Sequence, residues 1–167
     1  MAKLRKMLGR ADSPWIMSLM RLIDTQSHAT VSAWCVSYAR QYMLPIYERA
    51  FPRDNRPRLA LEAAQGYLDG RVKLSEAKKV IRDAQTAAAQ AAARAAFVSA
   101  ASIHTPSHAL ALAFYGAAAL AYDQAGLEQT DAFYDDFAAR AVAQMNKSLA
   151  SVSVENEPNP VKIHWNC

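Results

Sequence analysis

Along nearly the whole chain apolar residues recur at helical spacing, and the pattern is interrupted only where Pro or Gly marks a joint. Ser13-Pro14 reads as an N-cap followed by proline at the first helical position, opening a helix through about Asp24. Trp15, Ile16, Leu19, Met20, Leu22 and Ile23 give that helix a broad apolar face. A second helix from about Ala29 carries Val31, Trp34, Cys35, Tyr38, Tyr42 and Met43, and Pro45 must kink or restart it by removing a backbone donor. The segment 51–58, FPRDNRPR, is a loop from which Asp54 or Asn55 caps a helix over about Pro57 to Asp69, stopped by Gly70.

From Ser75 to about Ile103 the chain is rich in alanine, 12 of 29 residues, with a sparse charged stripe and no Gly or Pro. Alanine has the highest helix propensity and no bulk, so this stretch predicts one long helix that neighbours approach on several sides, the most buried element of the fold. Thr105-Pro106 then opens a helix to about Gln124, before Gly126. A last helix from about Leu127 or Thr130 to Leu149 turns Phe133, Phe137, Ala141, Val142 and Met145 inward and Asp131, Asp135, Asp136 and Arg140 outward. In the remaining tail Val152, Val154, Val161, Ile163 and Trp165 alternate with polar residues, predicting an extended segment lying on the helices. The expectation is an all-α fold: an irregular bundle of about six helices around a central alanine-rich helix, with one helical domain over 1–150 and a packed tail over 151–167.

Composition narrows the chemistry. Five glycines in 167 residues leave no Gly-rich loop to cradle a phosphate. The basic start MAKLRKML runs into GRADSPW rather than an apolar core, so secretion is not expected, and no stretch has the apolar length of a membrane span. A soluble, cytoplasmic protein without a membrane partner follows. The net charge of +4 is mild and its cations are interspersed with acids, which argues against a nucleic-acid surface. Cys35 and Cys167 make neither a metal spacing nor a disulfide framework; Cys35, beside Trp34, reads as a small core residue.

Three constellations carry candidate chemistry. His104 and His108 stand four apart, a spacing that places two imidazoles on one helix face, but Pro106 lies between them and no Glu accompanies them. Capping or packing is the first reading there, a partner or ligand contact the second, and zinc the last. Arg53, Asp54, Arg56, Arg58 and Glu62 gather alternating charge around a helix start: Asp54 caps, and the arginines pair locally or present planar, bidentate donors to a partner's carboxylates. Asp131, Asp135 and Asp136 read as a solvated acidic face, with no second acidic motif to complete an acid-base pair. There is no G-x-S-x-G elbow and no other catalytic signature, so neither enzyme activity nor a metal or other cofactor is expected.

The order of residues adds what their chemistry does not. Trp34 with the following Leu44-Pro45, the Asp54-x-Arg56-Pro57 turn, the Ala60-x-Glu62-Ala63 helix ending at Gly70, the alanine-rich stretch and the helix containing His108-Ala109 together resemble the all-α immunity proteins of bacterial polymorphic toxin systems. The resemblance spans roughly residues 30–122. It implies a cofactor-free protein that binds a cognate toxin stoichiometrically, through a standard interface of about 1,600 Å² anchored by a few aromatic or arginine side chains. Between Trp34 and Leu44-Pro45, where family members carry acidic residues, this chain has Ser37, Tyr38 and Arg40, which implies a different toxin. The expected partner is therefore a protein toxin, met by a monomer or weak homo-oligomer through Arg53, Asp54, Arg56, Arg58, Glu62, His104 and His108. Two alternatives are a ligand-binding or enzymatic pocket near His104, His108 and Tyr115, and a helical scaffold.

Overall fold

The joints marked by Pro and Gly divide the chain into eight α-helices among the described residues of the computed structural model, which are 4–85 and 90–163. These are α1 (Pro14–Ile23), α2 (His28–Tyr38), α3 (Leu44–Ala50), α4 (Arg56–Leu68), α5 (Leu74–Ala84), α6 (Ala91–Ala101), α7 (His108–Ala125) and α8 (Asp131–Val152). A π-helical segment, Ala39–Met43, joins α2 to α3. The all-α expectation holds. Among the described residues no helix is long and apolar enough to cross a membrane.

The alanine-rich stretch is not one helix. It forms α5 and α6, separated by Gln90 in an extended conformation (φ −85°, ψ 144°); residues 86–89 lie outside the described part of the chain. The physical reason is length. A straight helix from 75 to 103 would run about 43 Å at 1.5 Å per residue, whereas α4, against which both α5 and α6 pack, spans about 20 Å. Breaking the stretch lets both halves use α4, and tertiary packing overrides an excellent local propensity. The two halves also differ in burial: α5 buries only Ala77, Ile81 and Ala84, whereas α6 buries Ala92, Ala93, Ala95, Ala96, Phe97, Ser99, Ala100 and Ala101. The central element is thus α6 alone, enclosed by α7, α4, α2, α3 and the π segment.

α7 packs on α6 with its own methyl-rich face, burying Ala109, Ala113, Ala117, Ala118 and Ala121. Methyl-sized faces allow helix axes to approach toward the lower end of the about 8–10 Å range. Gly116 extends this logic to the other side of α7, because a Cβ there would lie 2.9 Å from Met145 Cε of α8 and 3.6 Å from Met43 Sδ. The carbonyl of Ser102, just past α6, accepts hydrogen bonds from His28 Nε2 and, at 3.0 Å, from Ser32 Oγ, tying the end of α6 to α2. Cys35 is fully buried, and burial pushes its thiol pKa up to about 12, which makes it an inert core residue at neutral pH.

Local signals account for most boundaries. Pro14 opens α1, Gly70 (φ +73°) ends α4, and Thr130 Oγ1 accepts the Phe133 amide at 3.2 Å to cap α8. Pro45 is accommodated by the π segment, where the Leu44 amide bonds back to the Ala39 carbonyl five residues earlier, an opening of the helix ahead of a residue that lacks a donor. In α8 the fully buried stripe is Tyr134, Ala138, Ala141, Val142, Met145 and Leu149, so Phe133 and Phe137 sit half-buried at its flank rather than at its centre.

Only part of the tail lies on the helices. Val152 and Val154 are exposed, while Val161 and Ile163 are buried; Trp165 and Cys167 lie outside the described residues. The docking is polar as well as apolar. Gln26 exchanges two hydrogen bonds with the backbone of Val154 (2.7 and 3.1 Å), its carbonyl accepts the Val161 amide, and Glu157 accepts from Ser27 N, Ser27 Oγ and Thr30 Oγ1 at 2.6–2.8 Å. These bonds hold the Glu157 carboxyl below its usual range.

The packing of α6 yields a direct test. Ala96→Phe is expected to lower stability by about 1–3 kcal/mol in a denaturant titration, because overpacking a fully enclosed methyl site forces backbone shifts. Lys79→Phe on the exposed face of α5 should change it by less than about 0.5 kcal/mol.

Candidate binding surfaces

The loop between α3 and α4 is rigidified by one carboxylate. Asp54 accepts the Arg56 backbone amide at 3.1 Å and Arg56 Nε at 2.8 Å on Oδ1, while Oδ2 takes the Tyr47 hydroxyl at 2.7 Å together with Arg56 Nη2. With those donors converging on it, led by the Arg56 guanidinium and then the Tyr47 hydroxyl, Asp54 is held well below the usual carboxylate range. Asp54 acts as expected at the start of α4, although the residue at the cap position itself is Asn55. Arg58 is likewise engaged, giving Nε and Nη2 to Glu48 at 2.7 and 2.8 Å.

The five charged residues therefore divide by task. Asp54, Arg56 and Arg58 fix the loop onto α3, whereas Arg53 and Glu62 are exposed and make no ion pair among the described residues. Beside Arg53, Phe51 is 40% exposed and its ring stacks at 5.0 Å on Tyr47. The outcome is an exposed aromatic and a free guanidinium on a pinned turn.

His104 and His108 face one another with ring centroids 6.3 Å apart, but His104 precedes α7 and His108 is its first residue. Both are half-buried, and burial lowers the pKa of each; Lys78, His108 and His28 add to the effect on His104. Nδ1 of His104 is bonded to Thr105 Oγ1 at 2.9 Å, and Nδ1 of His108 is buried without a partner among the described residues. Among the described residues no three His, Cys, Asp or Glu side chains converge to hold a metal ion. The histidines also stand apart from the charged loop. Phe51 shares a cleft with Ala91 and Ala92 at the start of α6, whereas His104 follows its end, about 16 Å away along the helix axis.

The main cleft lies elsewhere, with a volume of about 850 Å³. Tyr38, Gln41 and Tyr42 form one wall, Leu120 and Gln124 of α7 the floor at one end, and Phe137, Arg140, Ala141, Gln144, Lys147, Ser148 and Ser151 of α8 the other wall. Trp34, Tyr38 and Tyr42 form an aromatic ladder, with centroids 5.9 and 4.6 Å apart, that leads from the core to a Tyr42 ring 41% exposed. Trp34 Nε1 donates to Ser148 Oγ at 3.1 Å and fixes the far wall, and burial raises the Tyr38 phenol. The sequence places Trp34, Tyr38 and Tyr42 at helical spacing on one helix and turns Arg140 outward. The cleft was hidden because its walls lie about a hundred positions apart in the chain.

The loop chemistry predicts a pH signature. Asp54 has a folded pKa below its unfolded value near 3.9, so its contribution is complete above about pH 4 and fades as the pH falls further. Asp54→Asn is expected to lower stability by about 1–3 kcal/mol at pH 7, with the gap to the native chain narrowing steadily below pH 4 in urea titrations. A gap that is independent of pH would mean that the carboxylate charge contributes nothing.

Comparison with known proteins supplies the family. No curated protein matches this chain, and no solved structure does. A family model, that of the Imm-5 like putative immunity proteins, matches residues 21–148, from the last three residues of α1 through most of α8 and including the pinned loop and all of the cleft lining but Ser151. With more than three quarters of its length inside that match, the chain belongs to the Imm-5 like immunity protein family.

Proposed function

We propose that this protein neutralises a cognate bacterial toxin by stoichiometric binding, without turnover of its own. The observation that carries this reading is the family match over residues 21–148. Loop geometry agrees with it. An exposed Phe51 and an unpaired Arg53 sit on a turn that Asp54, Arg56 and Tyr47 hold in place, so contact residues are presented with little entropy left to lose on binding. Arg56 supports this surface rather than forming its anchor, since its guanidinium is committed to Asp54. The toxin is met in the cytoplasm of the cell that makes both proteins. The His104–His108 pair lies at the other end of α6 and is left out of the interface.

Co-expression with the toxin encoded beside it should restore growth, and Arg53→Glu should weaken both rescue and measured affinity by about 10-fold or more with the melting temperature unchanged. A wild-type chain that neither binds nor rescues would contradict the immunity reading. Full rescue by Arg53→Glu would contradict only the placement of the interface.

A further inference from the structure

The cleft along α8 has a shape and a charge that the loop surface lacks. Its α8 wall runs from Phe137 to Ser151, about 21 Å at 1.5 Å per residue. That length matches about six residues of extended chain and exceeds what a small metabolite would fill. Its lining combines apolar and aromatic groups, Tyr38, Leu120 and Ala141 among them, with Gln41, Gln124 and Gln144, which supply both donors and acceptors. Every charged side chain lining the cleft is a cation: Arg140 and Lys147, two turns apart on α8. Arg140 lies 5.9 Å from the Phe137 ring and pairs with Asp136 at 3.3 Å, with both partners more than half exposed, an ion pair that a desolvated carboxylate would readily replace. Lys147 has no ion-pair partner among the described residues.

The cleft and the small cleft beside the loop both draw on the last turns of α7. Gln124 lines the former, while the preceding residue, Asp123, pairs with Arg49 at 2.6 Å and lines the small cleft beneath Phe51.

We propose that this groove docks an acidic segment of the partner protein, its carboxylates on Arg140 and Lys147 and an apolar side chain lodged between Tyr42 and Phe137. This rests on the immunity reading for the identity of the partner as a toxin. Two cations two turns apart match a short acidic stretch, whereas a nucleic-acid groove tracks a backbone with a longer basic stripe.

The test uses the full chain and the toxin encoded beside it, with dissociation constants measured at 50 and 300 mM NaCl. The double variant Arg140→Glu/Lys147→Glu should weaken binding about 100-fold or more and flatten its salt dependence, and Tyr42→Ala should weaken it about 10-fold. The control Lys79→Glu, on the exposed face of α5, should bind as the native chain does. Circular dichroism and melting temperature report whether the double variant folds; the exposed Tyr42→Ala keeps the question answerable if it does not. Native affinity in both groove variants with loss in Arg53→Glu would overturn the groove and leave the immunity reading standing. No binding by the native chain would overturn both. Self-association, or binding of a short single-stranded oligonucleotide, abolished by the groove variants while the toxin still binds them would overturn the proposed occupant.

Discussion

The close approach of α6 to its neighbours is the constraint on which the remaining structure depends. Five alanines of α6 are essentially inaccessible, and α7 meets them with a methyl-rich face of its own. Such contacts contribute through many small dispersion terms and low side-chain entropy loss rather than through large individual groups, so they are effective only when the helix is enclosed on several sides. This is why α6 is short, why α2 and the π segment reach over it, and why the more charged α5 is left to cover α4. Large side chains collect where the alanine faces end: Met43 and Met145 about Gly116, and Trp34, Tyr38 and Tyr42 toward the surface.

A core built of methyl groups moves recognition to the ends and edges of helices. The loop at the start of α4 and the seam between α8 and the π segment are the places where aromatic and charged side chains meet solvent together. Both are held by specific hydrogen bonds, through Asp54 in one case and through Trp34 to Ser148 in the other. Beside the loop, the Arg49–Asp123 pair ties α3 to α7.

How much of this was legible in the sequence depends on whether the signal is local. Pro14, Pro45, Gly70, Pro106 and Thr130 mark joints through their own backbone chemistry, and each joint was read within a few residues. Asp54 was recognised as the residue that fixes the loop for the same reason. The break at Gln90 was invisible, because nothing in an alanine-rich run disfavours a helix; the length of α4, a distant property, decides it. Phe133 and Phe137 were placed inside on hydrophobicity alone, yet Tyr134 and Ala138 face the core and leave the phenylalanines to line its edge. The groove depends on Tyr42 and Lys147 being neighbours in space, and the order of residues contains no local trace of that.

Hydrogen exchange of the free chain and of its complex with the toxin encoded beside it tests the account most directly. Amides of α6 and α7 should be the slowest to exchange in both states, since only global opening releases an enclosed helix. Protection gained on binding should fall on the loop after α3 and along the exposed edge of α8 from Phe137 to Ser151. Protection centred instead on α5 or on the His104–His108 corner, or free-state exchange as fast in α6 as in α5, would contradict it.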